Sequence, residues 1–77
     1  MIIDSPTPKM LAEVRDGVAW ITFNAPEKRN AMSLDMWQGL GQIIGEIEKE
    51  ESVRVLILKG AGHIAFVSGA DISEFED

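Results

Sequence analysis

The chain has no cysteine and a single histidine, His63. A disulfide frame, a thiolate zinc site and a histidine-rich metal site are therefore all excluded. Tyrosine is absent too. Basic residues are scarce, 7 against 13 acidic ones, for a net charge of −6. That balance argues against a nucleic-acid face, which needs cations to neutralise phosphates, and against docking on anionic lipid. It still allows a phosphate-bearing small molecule, for which a local basic spot suffices. No apolar run approaches the ~18 residues of a membrane span. The opening stretch, MIIDSPTPKM, lacks the basic segment and apolar core of a secretory signal. A soluble, cytoplasmic protein is the expectation. Repeats and low-complexity tracts are missing. With 77 residues the chain has length for one small domain, and a chain near that size buries only about 60% of the surface it exposes unfolded.

What is present reads as alternating strands and a helix. The stretch DSPTP carries two prolines and is expected to be extended and loosely held, so residues 1–9 read as a flexible leader. Met10 to Arg15 has the length of a strand, and Asp16-Gly17 is a hairpin signal, because both residues tolerate positive φ. VAWITF, residues 18–23, is the return strand. It is apolar on both faces, which points to a position inside a sheet rather than at its edge. NAPEKRN, residues 24–30, breaks the pattern as a loop. Ser33 fits a helix N-cap, and Asp35 places an acid in the first turn, where the helix dipole favours it.

From there Met36, Trp37, Leu40, Ile43, Ile44 and Ile47 recur at spacings of three and four, forming one helical stripe. Gly39, Gly41 and Gly45 each weaken that helix by up to about 1 kcal/mol relative to alanine, so tight packing or a compensating face is expected. VRVLIL, residues 53–58, is a strand, and strand–helix–strand order points to a crossover into a parallel neighbour. Residues 65–67 read as a short further strand and 68–70 as its corner. Asp71 reads as the start of a helix that has run less than two turns when the sequence ends at Asp77.

Two motifs carry a resemblance. NAPEKRNAMS, residues 24–33, is a proline-bearing loop closing on an Asn-Ala pair before a long helix. GAGHIAFVSGADISEF, residues 60–75, is a small-residue run, then Ala-Phe, then two residues, then Gly-Ala-Asp and a helix. Together with the element order they resemble the N-terminal part of the enoyl-CoA hydratase/isomerase, or crotonase, superfamily. The likeness runs from about Met10 to Asp77. A mild departure is Val67-Ser68, where the family often has Cys-Ala or Ala-Ala.

The resemblance implies an α/β fold, the opening of a spiral of ββα units, in which 10–77 is a domain truncated at its C-terminal end. It implies a lyase or isomerase of fatty acid metabolism that binds an acyl-CoA thioester and stabilises an enolate-like oxyanion between two backbone N–H groups. One of these belongs here to Ala70. Such a donor is effective because a helix N-terminus presents unpaired N–H groups in a fixed place, and Gly69 lets the backbone approach a ligand closely. By the same resemblance the Ser68 backbone meets the adenine end of coenzyme A, and Lys28, Arg29 and Ala31 line its channel. Asp71 and Ile72 complete the substrate-binding corner.

No cofactor is implied beyond the coenzyme A of the substrate, and assembly as a trimer or a dimer of trimers is. The family's second oxyanion donor and its proton-transferring carboxylates lie past the position where this sequence ends, so the 77 residues alone are expected to be inactive.

Plainer readings stand beside these. From spacing alone, Ser68 to Asp71 is an ordinary strand-to-helix corner, and a non-catalytic α/β binding or assembly module is the alternative for the whole chain. Lys28 and Arg29 read equally well as a solvated loop. Asp71 and Glu74 complement a helix dipole more readily than they form a catalytic pair. His63 reads as a solvated loop residue, and Trp20, Trp37 and Phe66 as core.

Overall fold

The Asp16-Gly17 turn sets the register of the sheet. Both residues take left-handed backbone angles, φ 54° and 80°, as a two-residue hairpin turn requires. The turn joins the antiparallel strands Met10–Arg15 and Val18–Phe23, closing on the pair Arg15–Val18. A computed structural model describes residues 1–70 of the chain. In chain order its strands are β1 (Ile2–Ile3), β2 (Met10–Arg15), β3 (Val18–Phe23) and β4 (Val55–Gly60). A short 3-10 turn, Pro26–Lys28, and the helix α1, Leu34–Glu48, lie between β3 and β4. The sheet order is β1-β2-β3-β4, antiparallel except for the parallel pair β3–β4. The inner position expected for VAWITF and the parallel crossover are both present.

Strand alternation places Met10, Ala12, Val14, Ala19, Ile21 and Phe23 on one buried face, the period-2 rule at work. Helix α1 covers the β1–β2 side of that face with Met36, Gly39, Ile43 and Ile47, flanked by half-buried Leu40 and Ile44. Trp37 departs from the expected stripe and is 49% exposed. It follows Met36 around the helix, at the margin of the apolar face. A side-chain methyl at Gly39 would sit 3.2 Å from Thr7 Cγ2 and 3.5 Å from Met10 Cγ. This glycine is the tight contact that lets the helix lie against the N-terminal segment. Gly41 and Gly45 have nothing within 4 Å.

Three further sequence expectations differ from the structure. The N-terminal segment contains β1, too short to leave a sequence pattern: Ile2 pairs with Glu13 and Ile3 with Ala12. Thr7 is buried and donates from Oγ1 to Asp35 at 2.9 Å. β4 begins two residues later than expected, because the Val53 N–H still donates to Glu50 O in the turn after the helix. Residues 65–67 form no strand. Their backbone folds back over Gly60, where a methyl would collide with Phe66 O and meet Ala65 O at 2.6 Å, so these carbonyls face inward rather than toward a neighbouring strand. The expected helix beginning at Asp71 lies outside the described residues.

Candidate functional site

The loop after β3 is built around two consecutive left-handed residues, Arg29 (φ 53°) and Asn30 (φ 58°). They follow the 3-10 turn that Pro26 starts, a favoured first position for proline. The turn is closed by bonds from Lys28 N–H to Ala25 O, at 2.9 Å, and from Arg29 N–H to Pro26 O, at 3.0 Å. The chain then reverses into Ala31 and Met32 and enters α1. Ser33 is the N-cap residue, as expected, but its hydroxyl caps no backbone N–H and donates to Asp35 instead.

The small-residue corner runs beside this loop. Ser68 N–H donates to Arg29 O at 3.1 Å, Met32 N–H donates to Gly69 O at 2.7 Å, and Met32 and Ala70 form an isolated parallel bridge. The structure thus brings Lys28, Arg29 and Ala31 together with Ser68, Gly69 and Ala70, although the two groups lie far apart in sequence. Asp71 and Ile72 lie outside the described residues. Gly69 has φ 135°, and among the described residues nothing lies within 4 Å of where a side-chain methyl would stand. Lys28, Arg29, Ser68, Gly69 and Ala70 are exposed and Ala31 is half-buried. Among the described residues, the Ala70 N–H has no protein acceptor.

Other candidates fall elsewhere. His63 is an exposed loop residue. The aromatics expected in the core are not buried there. Trp20 is half-buried on the outer sheet face beneath the Lys59 ammonium, 5.8 Å from its ring centroid. Phe66 is 53% exposed and packs edge-on against Phe23 at 5.4 Å. A cavity of about 660 Å³ lies on that outer face, between Ile3, Leu11, Trp20 and Lys59, and none of the corner residues lines it. No group of three or more His, Cys, Asp or Glu side chains among the described residues is placed to hold a metal ion. No helix among them is long and apolar enough to cross a membrane.

One residue of the site entered the sequence reading only as the first half of the Asn-Ala pair, with no role of its own. Asn30 is fully buried, and its amide lies between the two segments. The signal that points to it is an asparagine beside a glycine-rich partner loop, tolerant of left-handed φ, yet the sequence gives no sign of what its amide would bind.

The family profile described as Enoyl-CoA hydratase/isomerase matches residues 13–77. The short-chain-enoyl-CoA hydratase of Clostridium acetobutylicum is 41% identical over 68 residues, covering 88% of this chain and 26% of that protein. The hydroxycinnamoyl-CoA hydratase-lyase of Pseudomonas fluorescens is 38% identical over 63 residues, covering 82% of this chain and 22% of that protein. Among solved structures, a carnitinyl-CoA dehydratase from Mycobacterium avium 104 superposes with a TM-score of 0.82 at 39% identity, over 90% of this chain and 27% of the other. The chain therefore spans about a quarter of the length of these similar proteins.

Proposed function

The chain belongs to the enoyl-CoA hydratase/isomerase family, and on that basis we propose that it forms the N-terminal part of an enzyme acting on acyl-CoA thioesters. In this reading Ala70 N–H is one of two donors to the thioester oxygen as negative charge develops there. The Ser68 backbone faces the adenine end of coenzyme A, and Lys28, Arg29 and Ala31 flank the nucleotide and its phosphates. Asp71 and Ile72 continue the substrate corner. The observation that carries the reading is the N–H of the exposed residue Ala70, without a protein acceptor among the described residues, on a corner fixed by two backbone bonds to the 29–32 loop.

The chemistry follows from that placement. Hydration and isomerisation of an enoyl thioester both pass charge onto the carbonyl oxygen. A donor already in place for that charge needs no reorganisation when it forms, and removing one such side-chain donor costs about 2.7–4 kcal/mol in a known case. Which of the two reactions follows is set by proton-transferring groups that this reading assigns to the remainder of the protein. Coenzyme A enters with the substrate and no further cofactor is required. A cytoplasmic trimer, or pair of trimers, completes the proposal.

The test uses the full-length protein that carries this segment. It is expected to bind acyl-CoA and to consume the conjugated absorbance of an enoyl-CoA. Gly69→Ala is expected to lower that activity, because φ 135° strains any L side chain at this position. A full-length protein that binds no acyl-CoA thioester would return the chain to the non-catalytic module.

A further inference from the structure

We infer that Asn30 is the positioning residue of the oxyanion corner: its side-chain amide locks the loop that leads into Ala70. The inference rests on the reading of Ala70 as an oxyanion donor. Asn30 Oδ1 accepts from Ala25 N–H at 2.9 Å. Its Nδ2 donates to Ala61 O at 3.0 Å and to Ala65 O at 2.9 Å. These partners fix the orientation of the amide, since a backbone N–H requires the oxygen and two carbonyls require the nitrogen. The residue is fully buried, and both amide hydrogens and the oxygen are engaged.

Three partners from two segments meet on this one group. Ala25 belongs to the start of the first loop. Ala61 and Ala65 bracket the turn after β4, and five residues past Ala65 comes Ala70. The backbone of Asn30 lies between the other two anchor points of the corner, Arg29 O, which accepts from Ser68, and Met32 N–H, which donates to Gly69. Its left-handed φ of 58° sets where those two groups stand. The geometry also explains Gly60. A methyl there would lie 2.7 Å from Asn30 Nδ2 as well as against the Ala65 and Phe66 carbonyls, so only glycine lets the amide reach both acceptors.

Asn30 touches no substrate in this arrangement. It acts through the position of the Ala70 N–H, and a misplacement of about 1 Å can cost roughly 10²-fold in rate. Serine, glycine or aspartate at position 30 separates backbone from side-chain effects differently. Glycine keeps the left-handed φ and deletes the amide. Aspartate keeps the shape and replaces the nitrogen donor by an oxygen.

The experiment is made on the full-length enzyme, with free coenzyme A and a carbonyl-labelled enoyl-CoA as probes. In the parent, the infrared stretch of the bound thioester carbonyl is expected to fall, as hydrogen bonding to its oxygen demands. In Asn30→Gly that fall is expected to be lost and kcat to drop by about tenfold or more, while the Kd of free coenzyme A, which has no thioester carbonyl, stays within about threefold of the parent. A variant that keeps both the carbonyl shift and kcat overturns the inference alone. A parent that shows neither shift nor turnover overturns the oxyanion reading, and the role of Asn30 with it.

If Asn30→Gly does not fold, Asn30→Asp decides. The new carboxyl can donate to Ala61 or Ala65 only when protonated, so its activity relative to the parent is expected to fall as pH rises. A ratio that does not change with pH means the amide only fills space, and the inference is wrong.

Discussion

Asp35 stands where three donors converge. Ser33 Oγ, Thr7 Oγ1 and Lys9 Nζ all reach its carboxylate, and together they lower its pKa from 3.8 to about 2, the Ser33 hydroxyl contributing most. A depressed carboxylate pKa adds stability that is fully present above the unfolded value and is lost as pH falls through the folded one. The window here runs from about pH 4 down to about pH 2. The side chain is 43% exposed, so solvent screening leaves a contribution on the order of 1 kcal/mol or less. Asp35→Asn is expected to lower stability at neutral pH by that amount, with the gap closing by pH 2; denaturant titrations across the range check it. Ser33→Ala should move the Asp35 titration back up toward 3.8, readable by NMR. Gly60 makes a larger demand. Gly60→Ala would push a methyl into two backbone carbonyls and the Asn30 amide, and a loss of about 1–3 kcal/mol is expected, as for overpacking elsewhere. An unchanged denaturation midpoint would show that the loop gives way freely.

Among the elements, α1 shows glycines of opposite kinds. Gly39 is buried against Thr7, Met10 and Pro6, whereas Gly41 and Gly45 face open space. Alanine at either of the latter is expected to stabilise the chain by up to about 1 kcal/mol, the helix-propensity difference. Alanine at Gly39 is expected to destabilise it, since its neighbour lies at 3.2 Å. Thermal unfolding of the three single variants distinguishes the two classes. The hairpin, the helix and the parallel strand were all legible from sequence, because each has a local signal: a turn dipeptide, a stripe of period 3.6, a β-branched run. β1 and the fold-back of residues 61–66 were not. One is two residues long, and the other is made by contacts with Asn30 and Gly60 rather than by its own pattern.

At the scale of the whole molecule, the sheet ends in a strand that no other element among the described residues covers. Helix α1 packs over β1 and β2, leaving Leu56 at 42% and Leu58 at 43% exposure on β4. Leu56 and Leu58 lie beside Ala19 and Ile21 in the register, on the core face. Such a contiguous apolar surface on an edge strand invites association. The 77-residue chain prepared by itself is therefore expected to bind a hydrophobic dye and to self-associate with concentration. Sedimentation as a monomer at all concentrations, with no dye binding, would contradict this. Leu56→Lys should reduce the association if the surface is its cause.

The sequence by itself determined the hairpin, the helix, the parallel strand and the family, because turn residues, hydrophobic period and the two motifs at 24–33 and 60–75 act locally or are carried residue by residue. It also named the residues of the corner. Only the tertiary structure decided that Arg29 and Met32 hold Ser68 and Gly69, and that one buried amide joins Ala25, Ala61 and Ala65. Hydrogen bonds between segments more than thirty residues apart depend on how the β3–β4 crossover returns the chain, and no local pattern in either segment specifies its partner.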